Sequence, residues 1–353
     1  MTINLRRIEF FDREKEAEEI INILKAEPRL INFIYGPINS GKTTLINNLV
    51  ENLPPDYVVF YINLRGKFIS DYEDFIRAMF RVEKNKDLKE ILKDLAVKTE
   101  KTIRHTGGLP INESVLESLF KKKTEEDVFE FLEDYFKDIS KTKIPVFIID
   151  ELQVIGDLKI DEYLIYRLFN FFIRLTKELH LCHVFAVSSD SLFIEKVYNE
   201  AMLQGRARYL LVDDFDLTDA KRFLKKYKFT EYERKIALDY LGGKPAHLVE
   251  LIDAKLGNKS LEKVAKRILE IRKGQIEEVL YSLKDENKEL FDKVIAVLKN
   301  FDSDDKIKYV HATKDIRFLA RQNILFADSV KRIIRPQSKN DLIAIREILR
   351  EMK

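Results

Sequence analysis

The stretch that decides the fold runs Leu30-Ile31-Asn32-Phe33-Ile34-Tyr35-Gly36-Pro37-Ile38-Asn39-Ser40-Gly41-Lys42-Thr43-Thr44. Leu30 to Tyr35 is a short run of β-branched and aromatic residues, the pattern of a buried strand. Gly36 to Thr43 then fits G-x-x-x-x-G-K-[ST] with nothing missing. Glycine at both ends lets the backbone wrap so that its N–H groups point inward, and a helix beginning near Lys42 offers its positive N-terminus to the same anion. Gly36, Pro37, Ile38, Asn39, Ser40, Gly41, Lys42, Thr43 and Thr44 therefore form a phosphate cradle. In it Lys42 reaches the β- and γ-phosphates of a nucleoside triphosphate, and the Thr43 hydroxyl holds Mg²⁺.

Further strands are expected at Val58 to Asn63, Pro145 to Ile149, His183 to Ser188 and Tyr209 to Val212, with helices starting near Asp71, Thr124, Asp161 and Ser191. Buried strands that alternate with amphipathic helices predict a parallel α/β sheet with right-handed crossovers over residues 1–215. Roughly eighty residues separate the second strand from the third, more than one crossover needs. Residues 84–123, broken by Gly107-Gly108-Leu109-Pro110, read as a small helical insertion. From Asp216 the periodicity is helical: Thr218 to Tyr227, Glu231 to Leu241, Ala246 to Leu256 and Leu261 to Leu283 predict a helical lid over 216–284. Residues 285–353 give helices at Glu286 to Asn300 and Lys314 to Asn323. Short strands at Ile324 to Ala327 and Arg332 to Ile334 and a last helix at Asp341 to Glu351 follow, the order of a winged-helix module.

The cradle needs an acid from a neighbouring strand, and Ile144-Pro145-Val146-Phe147-Ile148-Ile149-Asp150-Glu151 supplies two. Asp150, at the carboxyl end of its strand, binds Mg²⁺ directly or through water. Glu151 is placed to polarise a water that attacks the γ-phosphate. A small-molecule kinase must shield that phosphate from water, so the acid pair favours hydrolysis.

These residues resemble the additional-strand P-loop ATPases, and more narrowly the archaeal ATPase family of the STAND class, relatives of AAA+ proteins. The resemblance spans nearly the whole chain and implies ATP and Mg²⁺ as ligands. Phe11-Asp12-Arg13-Glu14-Lys15-Glu16 resembles the family's Arg-Glu box, which places Arg13 beside the adenine; Asp12 as a plain helix N-cap explains the segment equally well. Ser188-Ser189-Asp190-Ser191 is similar to the polar sensor of such proteins, which implies a γ-phosphate contact from Ser189 or Ser188, while helix capping remains an open reading. Gly205-Arg206 is similar to the family's Gly-Arg pair. That implies a phosphate contact for Arg206, as a sensor or on a neighbouring copy, with Arg208 as competitor and a plain surface arginine as the alternative. Gly242-Gly243-Lys244-Pro245 resembles the Gly-x-Pro signature, which brings Pro245 toward the base. Ile333-Ile334-Arg335-Pro336-Gln337-Ser338 is similar to the end of the family's winged-helix domain.

Composition bounds the rest. With 353 residues, 45% hydrophobic and only 11 Gly and 8 Pro, the chain carries a folded core of two or three domains. Against 62 Lys and Arg stand 60 Asp and Glu, so no charged tail announces a partner. Abundant Lys and Glu, one Cys and no Trp fit a thermophilic source. Cys182 alone excludes a disulfide or zinc scaffold, and His105, His180, His183, His247 and His311 lack metal-ligand spacing. No apolar stretch serves as a signal or membrane span, which predicts a cytoplasmic protein. Residues 285–353 hold 15 Lys and Arg and 12 Asp and Glu. Lys306, Lys308, Lys314, Arg317 and Arg321, or Lys331, Arg332 and Arg335, can cluster toward DNA, but interleaved acids fit protein docking as well. Two roles follow: a regulatory ATP/ADP switch that assembles with a protein partner or as a homo-oligomer, and a DNA-binding ATPase resembling archaeal replication initiators.

Overall fold

The computed structural model describes residues 8–97, 107–121, 125–156, 164–190, 192–194, 197 and 203–352. In chain order, α1 (Glu14–Lys25), β1 (Ile31–Tyr35), α2 (Lys42–Asn52), β2 (Tyr57–Asn63), α3 (Tyr72–Met79), β3 (Phe80–Val82) and α4 (Leu88–Val97) are followed by β4 (Leu109–Ile111), α5 (Glu113–Lys121) and α6 (Glu125–Ser140). Then come β5 (Ile144–Asp150), α7 (Gln153–Gly156), α8 (Leu164–Ile173), β6 (His183–Ser188) and β7 (Ala207–Leu211). The helix starts expected near Thr124, Asp161 and Ser191 fall outside the described residues.

The major sheet has the order β2-β5-β6-β1-β7 and is parallel throughout, so β6 is the extra strand between the phosphate-loop strand and the Asp150 strand. Side chains alternate between its faces. Phe33, Phe60 and Phe147 pack with Phe136 of α6 and Phe169 and Phe172 of α8, whereas Ile34, Val59 and Ile148 pack with Ile20 and Leu24 of α1 and Leu45 and Leu49 of α2. The register sets Tyr35 beside Ser188 and Asn63 beside Asp150. The phosphate loop, Asp150 and the serines thus leave the sheet at one end, where open α/β sheets bind ligands.

The 84–123 segment is not purely helical. Leu109 and Pro110, expected in the Gly107-Gly108-Leu109-Pro110 break, begin the strand Leu109–Ile111, which pairs in parallel with Phe80–Val82. Leu109 and Ile111 are fully buried, and burial outweighs the turn signal of the preceding glycines.

The lid comprises α9 (Leu217–Lys226), α10 (Glu231–Leu241), α11 (Pro245–Leu256) and the 26-residue α12 (Leu261–Glu286). Asp216, Thr230 and Ser260 cap the first, second and fourth of these, each satisfying an orphan amide of a helix start. Only Asn287 separates α12 from α13 (Lys288–Lys299). The first half of α12 (Val264, Ala265, Ile268) belongs to the lid core and the second half (Ile276, Leu280, Leu283) to the C-terminal core, so no linker stands at the expected 284/285 boundary. The C-terminal unit continues through β8 (Ile307–Lys308), α14 (Lys314–Arg321), β9 (Leu325–Asp328), β10 (Ile333–Pro336) and α15 (Lys339–Glu351). Its sheet is antiparallel with order β8-β10-β9. A single eight-residue helix, α14, stands between β8 and β9, where a helix-turn-helix has two.

Two histidines are held neutral, His183 buried and His247 partly so: burial lowers the pKa of each to about 4. A group whose folded pKa lies below its unfolded value near 6.5 resists the proton that the unfolded chain accepts, so stability falls as pH drops from about 6.5 toward 4. Urea unfolding at pH 7.5 and pH 5 should show an acid loss of about 2 kcal/mol from each, and His247→Gln should shed its share of that loss.

Candidate nucleotide site

Gly36 opens the loop because nothing larger fits: a Cβ there would lie 2.0 Å from the Val212 carbonyl oxygen. Asn39 and Gly41 both adopt positive φ, 60° and 97°, as a backbone wrapped around an anion requires. Lys42 begins α2 and folds back, donating from Nζ to Gly36 O at 3.0 Å and Pro37 O at 2.9 Å. An ammonium has three donors, so one is left to point into the cradle. Burial lowers the Lys42 pKa to about 8, against the opposing pull of Glu151, Asp150 and Asp214.

Asp150 meets the loop directly. Its Oδ2 accepts from Thr43 Oγ1 at 2.9 Å and from Tyr61 OH at 2.7 Å, and its Oδ1 takes the Glu151 amide at 2.9 Å. A hydroxyl and a carboxylate are hard oxygen donors that fit Mg²⁺, which fills its remaining positions with waters and phosphate oxygens. Among the described residues no group of three or more His, Cys, Asp and Glu gathers as metal ligands, so such an ion relies on the nucleotide as well. Glu151, at φ 60°, turns its side chain beside Asp150. One oxygen is ion-paired with Arg65 of the loop after β2, and the other accepts from Gln153 Nε2 at 2.5 Å. Gln153 also accepts from Ser188 Oγ at 2.8 Å and reaches Ser189 Oγ at 3.4 Å. Both serines thus lie in the Glu151 network; Ser188 is the buried member and holds Asp190 N at 3.0 Å.

Beside the loop lies a 240 Å³ cavity lined by Arg13, Gly41, Thr44, Phe215, Phe223 and Pro245, with residues 8–11 along one wall. Its apolar rings and exit onto Gly41 suit a base whose phosphates enter the cradle. Arg13 itself, not Asp12, occupies the N-cap position of α1, at φ 79°. Its guanidinium donates to Ser40 O at 2.7 Å and Asp213 O at 2.5 Å, pairs with Glu16 at 2.8 Å and lies 4.8 Å from the Phe215 ring centre.

The lid and the C-terminal unit both reach the loop. Gly243 allows the lid in, since a Cβ there would stand 1.9 Å from Phe215 O, and its carbonyl takes the Phe215 amide at 3.0 Å. The next residue, Lys244, is buried; its Nζ donates to Ile38 O at 2.9 Å and pairs with Asp214 at 3.0 Å. From the other side, Gln337 Oε1 accepts the Ile38 amide at 3.1 Å, while its Nε2 donates to Leu325 O at 3.0 Å, which fixes the orientation of the side-chain amide. Arg335 pairs with Asp213, Tyr35 OH donates to Asp328 at 3.2 Å, and Phe326 stacks on Tyr35.

Arg206 is not brought to these groups. Its carbonyl accepts the Ile31 amide at the start of β1, at the opposite end of the strand from Gly36. Five strand residues at about 3.3 Å each put it roughly 16 Å below the cradle. Arg208, opposite Asn32 in the register, is little nearer. Both backbones thus lie toward the end of the sheet away from the cradle. Sequence reasoning passed over Tyr61, Arg65, Gln153, Lys244 and Gln337. Lys244 and Gln337 stood inside segments already singled out, but nothing in their spacing marked them.

Residues 10–251 match the family described as an ATPase domain predominantly from Archaea, and residues 262–349 match "Uncharacterized ATP-binding protein MJ1010-like, C-terminal domain". An uncharacterized ATP-binding protein of Methanocaldococcus jannaschii is 51% identical over 98% of this chain and 99% of its own length, and one from Pyrococcus abyssi is 46% identical over 98% and 99%. A Walker-type ATPase of Pyrococcus abyssi shares the fold, with TM-score 0.67 at 19% identity and 97% of each chain covered.

Lys42→Ala removes the ammonium held at the mouth of the cradle and leaves the α2 N-terminus in place. ATP affinity, read by titration calorimetry, should fall more than tenfold, in keeping with a charged hydrogen bond; unchanged affinity would separate the cradle from nucleotide binding.

Proposed function

We propose that this chain, an ATP-binding protein that belongs to the archaeal ATPase-domain family, hydrolyses Mg-ATP and uses the nucleotide to set how its lid and C-terminal unit sit against the phosphate loop. The observation that carries the reading is the Glu151 network beside Asp150 and Thr43. Thr43 and Asp150 hold Mg²⁺, which neutralises charge on the β- and γ-phosphates. Lys42 and the α2 amides bind the same phosphates. Glu151 orients a water and takes its proton as the water oxygen bonds to the γ-phosphorus and the bond to the β–γ bridging oxygen breaks. Arg65 and Gln153 each hold one Glu151 oxygen, and this tether keeps the carboxylate from turning freely toward the water, which makes turnover slow at rest.

Membership of the STAND class and kinship with AAA+ proteins are part of this reading, as is a regulatory role. The C-terminal unit is a winged-helix variant with one helix where two are usual. It spends Arg335, Phe326 and Gln337 on the ATPase domain, which favours an internal signalling part. Arg206, remote from its own phosphates, is assigned to a neighbouring copy's nucleotide in a homo-oligomer; specific activity that rises with protein concentration is the signature. One observation favours DNA as a second reading: Lys314, Arg317 and Arg321 are exposed at i, i+3 and i+7 along α14, one basic helix face. Stimulation of hydrolysis by duplex DNA with steep salt dependence would select it. No described helix is long and apolar enough to cross a membrane.

Two substitutions test the catalytic assignment. Glu151→Gln should keep near-parental ATP affinity and lose roughly 10²-fold or more in turnover. Arg65→Ala should leave affinity unchanged and raise basal turnover severalfold. Parental turnover in Glu151→Gln would remove Glu151 from the chemistry.

A further inference from the structure

The bonds made to the phosphate loop from outside it have a directional consequence. A planar trans peptide points its C=O and the following N–H in opposite directions, and the described chain has no cis bond. On the peptide joining Pro37 and Ile38, the N–H goes to Gln337 Oε1 at 3.1 Å, and the carbonyl, facing the other way, goes to Lys42 Nζ at 2.9 Å. On the next peptide, Lys244 takes Ile38 O at 2.9 Å, so the Asn39 N–H points away from the lid. Arg13 takes Ser40 O at 2.7 Å, so the Gly41 N–H points away from Arg13. Neither Asn39 N nor Gly41 N donates to a described residue.

We propose that Gln337, Lys244 and Arg13 are positioning residues of the phosphate site: each holds one loop peptide from outside and thereby turns a phosphate-binding amide, or the carbonyl that holds Lys42, into the cradle. This rests on the reading of the loop as the triphosphate site. None of the three touches a phosphate. Their work is orientation: an amide that already faces the anion binds it without the cost of first fixing the peptide plane. The three come from the segment before α1, from the lid and from the C-terminal unit, so the cradle is complete only when all three parts are docked.

Lys244 gives the clearest test, because its two partners separate a positioning role from a mere lid anchor. Lys244→Met combined with Asp214→Asn removes the donor and leaves no unpaired buried charge. Affinities for ATP, ADP and adenosine are measured by competition against a fluorescent ATP analogue, alongside melting of the unliganded protein. The expected result is an ATP and ADP affinity weakened by roughly tenfold each, the span of a charged hydrogen bond, with adenosine within twofold of the parent. Loss of adenosine affinity by the same factor would make Lys244 a lid anchor and overturn the proposal. Unchanged ATP and ADP affinities would overturn it too. Gln337→Met, which leaves the lid pair intact, should show the same selective loss at a smaller severalfold level, and it carries the test if the double variant fails to fold. A parental protein that binds no ATP would refute the site reading itself.

Discussion

Ile38 gives its amide to Gln337 and its carbonyl to Lys244, so a single residue of the phosphate loop is bonded to both of the other parts of the molecule. The loop has little conformational slack around that point. Pro37 fixes φ on one side, Asn39 and Gly41 hold positive φ on the other, and Gly36 is pressed against Val212 O. On the proposed reading, rotation of the lid or of the C-terminal unit acts on the orientation of backbone groups that meet phosphate. Phosphate, in turn, acts on the two docked parts by the same bonds, as linkage requires.

Electrostatics reinforce the geometry. Lys42 and Lys244 are both buried beside the loop, and the Lys244 charge adds to the burial that pushes the Lys42 pKa down. Asp214 compensates Lys244, and burial raises the Asp214 pKa while Lys244 pulls it down. An anion entering the cradle meets the sheltered Lys42 ammonium, where a charge contact is stronger than at the surface. The C-terminal unit is held by more than polar contacts: Phe326 lies in the core of the sheet domain, and full burial of such a ring contributes on the order of 1.5–3 kcal/mol.

How much of this was legible in the sequence follows from the range of the forces involved. The placement of the loop between β1 and α2, and of Asp150 and Glu151 at the end of β5, could be read because the motif has fixed spacing and burial on both faces of the strands imposes apolar runs. Leu109 and Pro110 were read with Gly107 and Gly108 as a break because glycine and proline signal a turn locally, while the strand they begin depends on the distant Phe80–Val82. Arg206 was marked by its Gly-Arg context, but its carbonyl takes the Ile31 amide, which puts its backbone at the end of β1 away from the loop. Arg65, Gln153, Lys244 and Gln337 act through contacts between elements far apart in the chain, and a lone Arg, Lys or Gln leaves no periodic trace. The membership of α12 in two cores was hidden for the same reason: its apolar stripe is continuous, and only packing divides it.

Hydrogen exchange across the whole chain, with and without Mg-ATP, tests most directly whether the loop is coupled to the lid and the C-terminal unit through Ile38. If the coupling holds, ATP slows exchange together in residues 36–44, in 242–249 at the head of α11 and in 333–342 around Gln337. Protection confined to residues 36–44, with the lid and C-terminal segments exchanging as they do without nucleotide, would contradict it.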